Sequence, residues 1–210
     1  VNLGEIKTRV KRQFGDESSV QVTDDDIVRW VNDAQREIAQ QNDLLETVST
    51  TTITTSQSEY TLPSDILTLR ALRYNNLKLD ALTQEEADTK IVNYENPAGY
   101  VTGTPVHFWI YANRVTLYPT PDASGTLLKI YYTRIPIAVA VDADIPELHV
   151  KYHGRIVDYV LQQAYEMDEN WEASGNKSAQ LVAGLNSLKE ADSWTERSTY
   201  PVITVLAEDE

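Results

Sequence analysis

Residues 23–55 read TDDDIVRWVNDAQREIAQQNDLLETVSTTTITT, and the period of the pattern changes inside them. Thr23 is an N-cap, and Asp26 three residues on completes a capping box. Asp24, Asp25 and Asp26 set negative charge against the positive end of a helix dipole. Ile27, Trp30, Val31, Ala34 and Ile38 then fall on one helical face. From Leu44 the spacing shifts, and Val48–Thr55 is β-branched and alternating. A helix that gives way to strand here makes the amino-terminal end helical and the middle β-rich.

Toward the amino terminus, Leu3, Ile6, Val10 and Phe14 repeat at helical spacing opposite Lys7, Lys11 and Arg12, which predicts a first helix over Leu3–Phe14. Gly15–Ser19 reads as a helix stop and connector. Toward the carboxyl terminus, Tyr60–Pro63 ends a short strand and Pro63-Ser64-Asp65 turns. Ile66–Tyr74 and Leu77–Leu82 flank Asn75-Asn76, a tight hairpin turn. Thr83 to Glu86 is a second capping box, opening a short helix to about Ile91. Asn93–Pro105 reads as an exposed loop. Val106–Tyr111 and Val115–Tyr118 predict a second hairpin, Pro119–Asp122 a turn, and Leu127–Thr133 a strand with Tyr131 and Tyr132 on opposite faces.

Helix returns after Ile145, with Pro146 suited to the first helical position. Leu148, Tyr152, Ile156, Tyr159, Val160 and Ala164 supply one stripe. Trp171, Leu181, Leu185 and Leu188 supply a second, and the polar run Asn170–Ser178 with Gly175 suggests a break. The expected fold is α+β. Residues 1–46 and 146–194 build a helical bundle, 47–145 form an inserted small antiparallel β module, and 195–210 form an extended carboxyl-terminal arm.

The chain has 210 residues, 41% of them hydrophobic, so a sizeable core can form. It has no cysteine, which removes disulfides, thiolate metal sites and cysteine nucleophiles. No apolar run reaches membrane-spanning length and no signal-peptide pattern opens the sequence, so no membrane partner is expected. The net charge is −14, and Lys7, Arg9, Lys11 and Arg12 are the densest basic group. Tight duplex binding needs several cations on one face, so this balance argues against a DNA-gripping protein. It fits a wall past which DNA slides unheld.

Catalytic constellations do not emerge. His149 and His153 stand four apart, a spacing that can share a metal. The glutamate of a zinc protease motif is missing, and His107 lies in a strand, so local packing is the favoured reading. Asp24–Asp26 point in different directions on a helix and do not converge on an ion. Carboxylate pairs such as Glu85-Glu86 and Glu166, Asp168 and Glu169 read as solvated faces in so acidic a chain. No glycine pattern cradles phosphate, and no serine sits in a nucleophile elbow. The twelve tyrosines, without interleaved cations, suit sheet packing or interfaces better than base stacking. No catalytic residue, metal site or cofactor is expected, and the chain is not read as an enzyme.

Beyond Trp194 the helical pattern stops, and Pro201 opposes its return. Tyr200, Pro201, Val202, Ile203, Val205 and Leu206 form a β-prone cluster ahead of an acidic end, with no later segment to pair with. One reading is a frayed tail. The other is a partner-binding arm for another subunit or another protein. Five β-prone residues in a row favour the arm, because such a segment left unpaired is an aggregation hazard. Burying four such side chains contributes roughly 1.5–3 kcal/mol each before the entropy of ordering is subtracted.

Thr23–Ala39 (TDDDIVRWVNDAQREIA), Tyr60–Leu67 (YTLPSDIL), Val115–Asp122 (VTLYPTPD), Leu127–Tyr132 (LLKIYY) and Tyr152–Asp168 (YHGRIVDYVLQQAYEMD) occur in one order along most of the chain. As a set they resemble the head-to-tail connector, or adaptor, proteins of tailed bacteriophages. The resemblance implies a structural virion protein: a homo-oligomeric ring, usually a dodecamer, bound beneath the portal protein at the head-tail junction. Such a ring extends the channel for double-stranded DNA, helps retain the genome until ejection, and gives the tail or a second adaptor its platform. In related adaptors a carboxyl-terminal segment reaches the portal, and Thr199–Leu206 matches it by location. Such a protein is made in the host cytoplasm. A heterologous ring interface also suits a chain with exposed aromatics and an orphan arm. The alternative is a tail-completion or tail-tube protein of the same virion, against which the helical ends count. A small metal-dependent hydrolase using His149 and His153 is more remote.

Overall fold

The switch from helix to strand after residue 42 organises the structure, a computed structural model that describes residues 1–91 and 101–197. Its elements in chain order are α1 (Leu3–Phe14), α2 (Asp24–Gln41), β1 (Glu46–Thr52), β2 (Glu59–Thr61), β3 (Ile66–Tyr74), β4 (Leu77–Lys78), β5 (Asp80–Ala81), α3 (Gln84–Lys90), β6 (Thr102–Gly103), β7 (His107–Tyr111), β8 (Arg114–Tyr118), β9 (Thr120–Pro121), β10 (Leu127–Arg134), α4 (His153–Met167) and α5 (Trp171–Arg197). The fold class is α+β, as the sequence pattern predicts. Two compact units are present. One joins Val1–Asn42 to the described residues from Pro136 onward, and the other is Asp43–Ile135.

In the helical unit, Asn2 caps α1 in a box with Glu5, and α1 ends at Gly15 in the left-handed region, φ 91°. Leu3, Ile6 and Val10 are its buried face, and the Phe14 ring meets Tyr165 of α4 at 5.3 Å. The Thr23–Asp26 capping box opens α2, whose Ile27, Val31, Ala34 and Ile38 are buried. Ile156, Val157, Val160, Leu161 and Ala164 of α4 pack against α1, α2 and α5. Lys177 reaches Asp158 and the Ser174 hydroxyl donates to Glu166, so α5 runs antiparallel to α4.

Three expectations fail here. The break lies at Glu169, φ 58°, and α5 runs unbroken through Gly175 for 27 residues. The polar run is only the solvent side of a helix whose contact face is Ser174, Leu181 and Leu185; Trp171, expected in the stripe, is exposed. Pro146 does not start a helix. It is buried in an extended segment, and a 3-10 turn at Val150–Tyr152 leads into α4. Proline suits a strap as well as a first helical turn, because a fixed φ satisfies both.

The β unit has two four-stranded sheets, ordered β1-β10-β3-β4 and β2-β8-β7-β5, and a short β6-β9 pair. Asn75 and Asn76 both take positive φ, which gives the primed turn that joins β3 to β4. Ala112 and Asn113 do the same between β7 and β8. Leu77–Leu82 is not one strand: Leu77–Lys78 pairs with β3, and Asp80–Ala81 crosses to run parallel to β7. Pro119–Asp122 is likewise more than a turn, since Thr120–Pro121 pairs in parallel with Thr102–Gly103. Ile53, Tyr60, Leu72, Leu79, Phe108, Val115, Leu117, Leu128 and Ile130 form the core of this unit. Trp109 points to the other face, where Ala87 and Ile91 cover it. The loop expected at Asn93–Pro105 lies largely outside the described residues.

Candidate interaction surfaces

The Asn-Asp-Ala-Gln-Arg-Glu stretch of α2 places two amides on its inner face, Asn32 and Gln35. Asn32 accepts from the Val139 N–H at 2.8 Å and donates to the Val139 carbonyl at 3.0 Å, the two bonds a neighbouring strand would make. Gln35, fully buried, accepts from the Glu147 N–H at 3.0 Å. The amides of Leu3 and Gly4 donate to the carbonyls of Asp144 and Asp142. Residues 136–149 are therefore a strap laid across α1 and α2. Gly4 permits this approach, because a Cβ there would sit 3.1 Å from that of Asp142. The strap buries Val139 and Leu148 and leaves Ile137, Val141 and Ile145 outward, 69%, 60% and 65% exposed. Val150 just beyond is also exposed. Pinning by polar groups holds the strap in place while these aliphatic side chains stay in solvent. This segment has no helical or strand period, so its pairing with α2 is invisible in sequence.

The connector after α1 is likewise built. The Asp16 carboxylate accepts from the amides of Val20, Gln21 and Val22 at 3.0, 2.7 and 3.0 Å. Those amides, Val22 foremost, hold the Asp16 carboxyl below the usual carboxylate range. The turn so formed presents Val20 to solvent.

The four amino-terminal cations divide into two pairs. Lys7 bonds Asp142 at 2.7 Å and lies 3.6 Å from Asp24, and Lys11 also pairs with Asp24. These contacts tie α1, α2 and the strap together. They raise the Lys7 ammonium, through Asp142 first, and lower the Asp24 carboxyl, through Lys11 first. Arg9 and Arg12 are exposed and have no ion pair among the described residues. They border an open groove of about 710 Å³ floored by Gly4, Thr8 and Ala143.

On the β unit, Val48, Tyr131 and Ala71 stand side by side in register on one face of β1, β10 and β3. The Arg73 guanidinium covers the Tyr131 ring at 5.4 Å, and a groove of about 460 Å³ opens there. Arg70 beside it is taken by Asp43 and Glu46. Tyr111 at the tip of the β7–β8 hairpin is exposed.

The partner-binding residues read from sequence, Tyr200, Pro201, Val202, Ile203, Val205 and Leu206, lie outside the described residues. The histidines do not converge. His149 Nδ1 accepts from the Lys151 amide at 3.3 Å, capping the 3-10 turn. His153 is buried, its Nε2 2.8 Å from the Leu148 carbonyl. That bond puts the proton on Nε2, leaving Nδ1 buried and without a partner among the described residues. No three His, Asp or Glu side chains among the described residues are placed to hold a metal ion. Glu86 caps α3, and Glu166 accepts from Gln162, Gln163 and Ser174 at the α4–α5 joint. No helix among the described residues is long and apolar enough to cross a membrane.

Comparison with known proteins matches residues 1–204 to the profile of a family described as SU10 adaptor protein. No curated protein matches the chain.

Proposed function

This chain belongs to the SU10 adaptor protein family, and we propose that it works as a head-to-tail adaptor, forming a ring beneath the portal of the virion. The family places it among bacteriophage structural adaptors. The observation that carries the reading is the family match across residues 1–204. The outward aliphatic residues of the strap add to it, since a ring subunit needs two different faces that complement each other. In this reading copies of the chain, about twelve by likeness to other adaptors, close into one ring. The ring extends the DNA channel, helps retain the genome, and receives the tail or a second adaptor on its other side. The role is structural and not catalytic, and it needs no cofactor. DNA passes without being gripped: the net charge of −14 opposes phosphate, and Lys7 and Lys11 of the densest basic group are spent on internal carboxylates. The arm of Tyr200–Leu206 supplies docking to the neighbouring subunit or to the portal.

Co-sedimentation of the full chain with the portal protein of the same virion tests the proposal. Binding at a fixed ratio of one ring per portal is expected. A chain that ignores portal and instead polymerises into tubes or joins the tail would support the tail-completion or tail-tube reading.

A further inference from the structure

The outer face of the β1-β10-β3-β4 sheet carries a row of cations that no carboxylate answers. Lys129 of β10 stands opposite Arg73 of β3, and Arg73 stands opposite Lys78 of β4. Like charges directly opposite on one face repel, so the row costs the β unit stability. None of the three has an ion pair among the described residues. Lys129 donates to the Asn76 side-chain oxygen at 2.9 Å, and Arg73 lies over the Tyr131 ring. Arg9 and Arg12 of α1 are unpaired as well, but the sheet row has a mixed setting. Leu128, Ile130 and Leu72 fill the core, so the alternate positions Leu127 and Tyr131 share the outer face with the cations, and Val48 stands opposite Tyr131. Leu127 and Val48 are exposed. The groove of about 460 Å³ beside Tyr131 opens there, and Glu46 on its lining is held by Arg70. A fitting partner brings a flat apolar group flanked by several carboxylates.

The chain itself displays such a group. Between α4 and α5 the backbone reverses over Asp168, Glu169 and Asn170, with Glu169 in the left-handed region, φ 58°. Met167 and Trp171 flank this turn and are 47% and 67% exposed. Asp168, Glu169 and Glu172 stand beside them, exposed and without an ion pair among the described residues; Asp168 accepts only a long bond from the Gln21 amide, 3.4 Å. The turn is pinned, because the Asn170 side chain accepts from the Ala173 N–H at 3.2 Å and the Asn170 N–H donates to the Tyr165 carbonyl at 2.9 Å. Trp171 is therefore held outward on an ordered turn, which lowers the entropy lost on binding. Tryptophans so placed are the usual anchors of protein interfaces.

We propose that the α4–α5 turn of one copy docks on the outer β10-β3-β4 face of a second copy. Trp171 of the first meets Tyr131 and Arg73 of the second, and Asp168, Glu169 and Glu172 answer its Arg73, Lys78 and Lys129. The two surfaces differ, so each copy gives one and receives one, the heterologous contact from which rings are built. This contact rests on the ring reading above and joins its subunits. Duplex DNA fits less well: phosphate would satisfy the cations but leave Leu127 and Val48 uncovered, and the net charge of −14 opposes its approach.

Reciprocal charge reversal in full-length chains tests the contact, read by native mass spectrometry and sedimentation with and without portal. Arg73→Glu with Lys78→Glu reverses the face, and Glu169→Lys with Glu172→Lys reverses the turn. Each variant alone should fail to self-associate while still melting cooperatively. Mixing the two should restore assembly, because each reversed face then meets a reversed turn and each native face a native turn. A misfolded variant, or a contact made within one chain, gives no such rescue. Trp171→Ala should raise the concentration needed for assembly by about tenfold or more. Variants that assemble like the parent, or that fail without rescue, overturn the assignment. So does duplex binding by the parent that Arg73→Glu with Lys78→Glu removes, since phosphate would then be the occupant. Parent rings untouched by the substitutions leave the ring reading intact and remove only this contact. Parent assemblies that the substitutions govern but that never close into a ring do the reverse.

Discussion

Asn32 shows how much a single polar side chain carries. It replaces a strand partner for Val139, so Asn32→Ala leaves one N–H and one carbonyl of the strap unmet at once. The expected loss is about 1–3 kcal/mol, read as a lowered midpoint in thermal unfolding. Asn32→Asp keeps the acceptor alone and should fall between the two. The acidic side chains predict how stability follows pH. Asp16 is held by the Val22, Val20 and Gln21 amides, Asp24 by Lys11, Asp26 by the Thr23 hydroxyl, and Asp144 by the Ala140 and Val141 amides; each carboxyl lies below its ordinary 3.8. A carboxyl lowered by folding stabilises fully above its unfolded value. That contribution is lost as pH falls below about 4 and through the folded value. Melts between about pH 6 and pH 2.5 should show a steep decline at the acid end, shallower in Asp16→Asn. At the alkaline end, burial, with Glu37 and Asp33 nearby, pushes the Tyr159 phenol up to about 12. Its share of stability is present below pH 10 and lost as pH rises from 10 toward 12. Phenolate absorbance of Tyr159→Phe against the parent should lack that late-titrating group.

Among the elements, those with local signals were legible and those set by distant contacts were not. Leu3–Phe14 and the capping boxes at Thr23 and Thr83 need only neighbouring residues to be recognised, and the structure has them all. The Asn75-Asn76 turn is equally local. Gly175 and Pro146 misled because each has a local preference that packing overrides. α4 holds α5 straight past the glycine, and Asn32 and Gln35 hold the proline's segment extended. Leu77–Leu82 splits between two sheets because β7 takes Asp80–Ala81, a pairing no local pattern announces. Of the interaction surfaces, sequence exposed the amino-terminal cations but not their division into spent and unspent pairs. The β unit stands on its own core, with Ile130 and Leu128 of β10 fully buried between the sheets. Ile130→Ala should cost about 2–5 kcal/mol. Limited proteolysis should then show cleavage within residues 43–135 while the α1, α2 and α4 fragments stay protected.

At the scale of the molecule, part of the amino-terminal positive charge is spent on internal ion pairs, and three aliphatic side chains of the strap face outward. Lys7 and Lys11 lock α1 to α2 and the strap, and Ile137, Val141 and Ile145 face solvent. A net charge of −14 then predicts weak contact with DNA. In a mobility-shift titration at physiological salt the free chain should not retain duplex at submicromolar concentration; retention there would contradict a passive conduit. Deleting Thr199–Glu210 should leave the melt of the helical unit unchanged and remove attachment to a neighbour or portal, because the core of that unit lies in α1, α2, α4 and α5. An unfolded truncation, or undiminished attachment, would show that the arm is not the docking element. The central claim is that this chain closes on itself into a ring. Native mass spectrometry of the purified full chain, alone and with its portal, measures that directly. One closed species of fixed copy number is expected, at the latest in the sample with portal. A chain that stays monomeric in both samples, or that grows without limit, would contradict it.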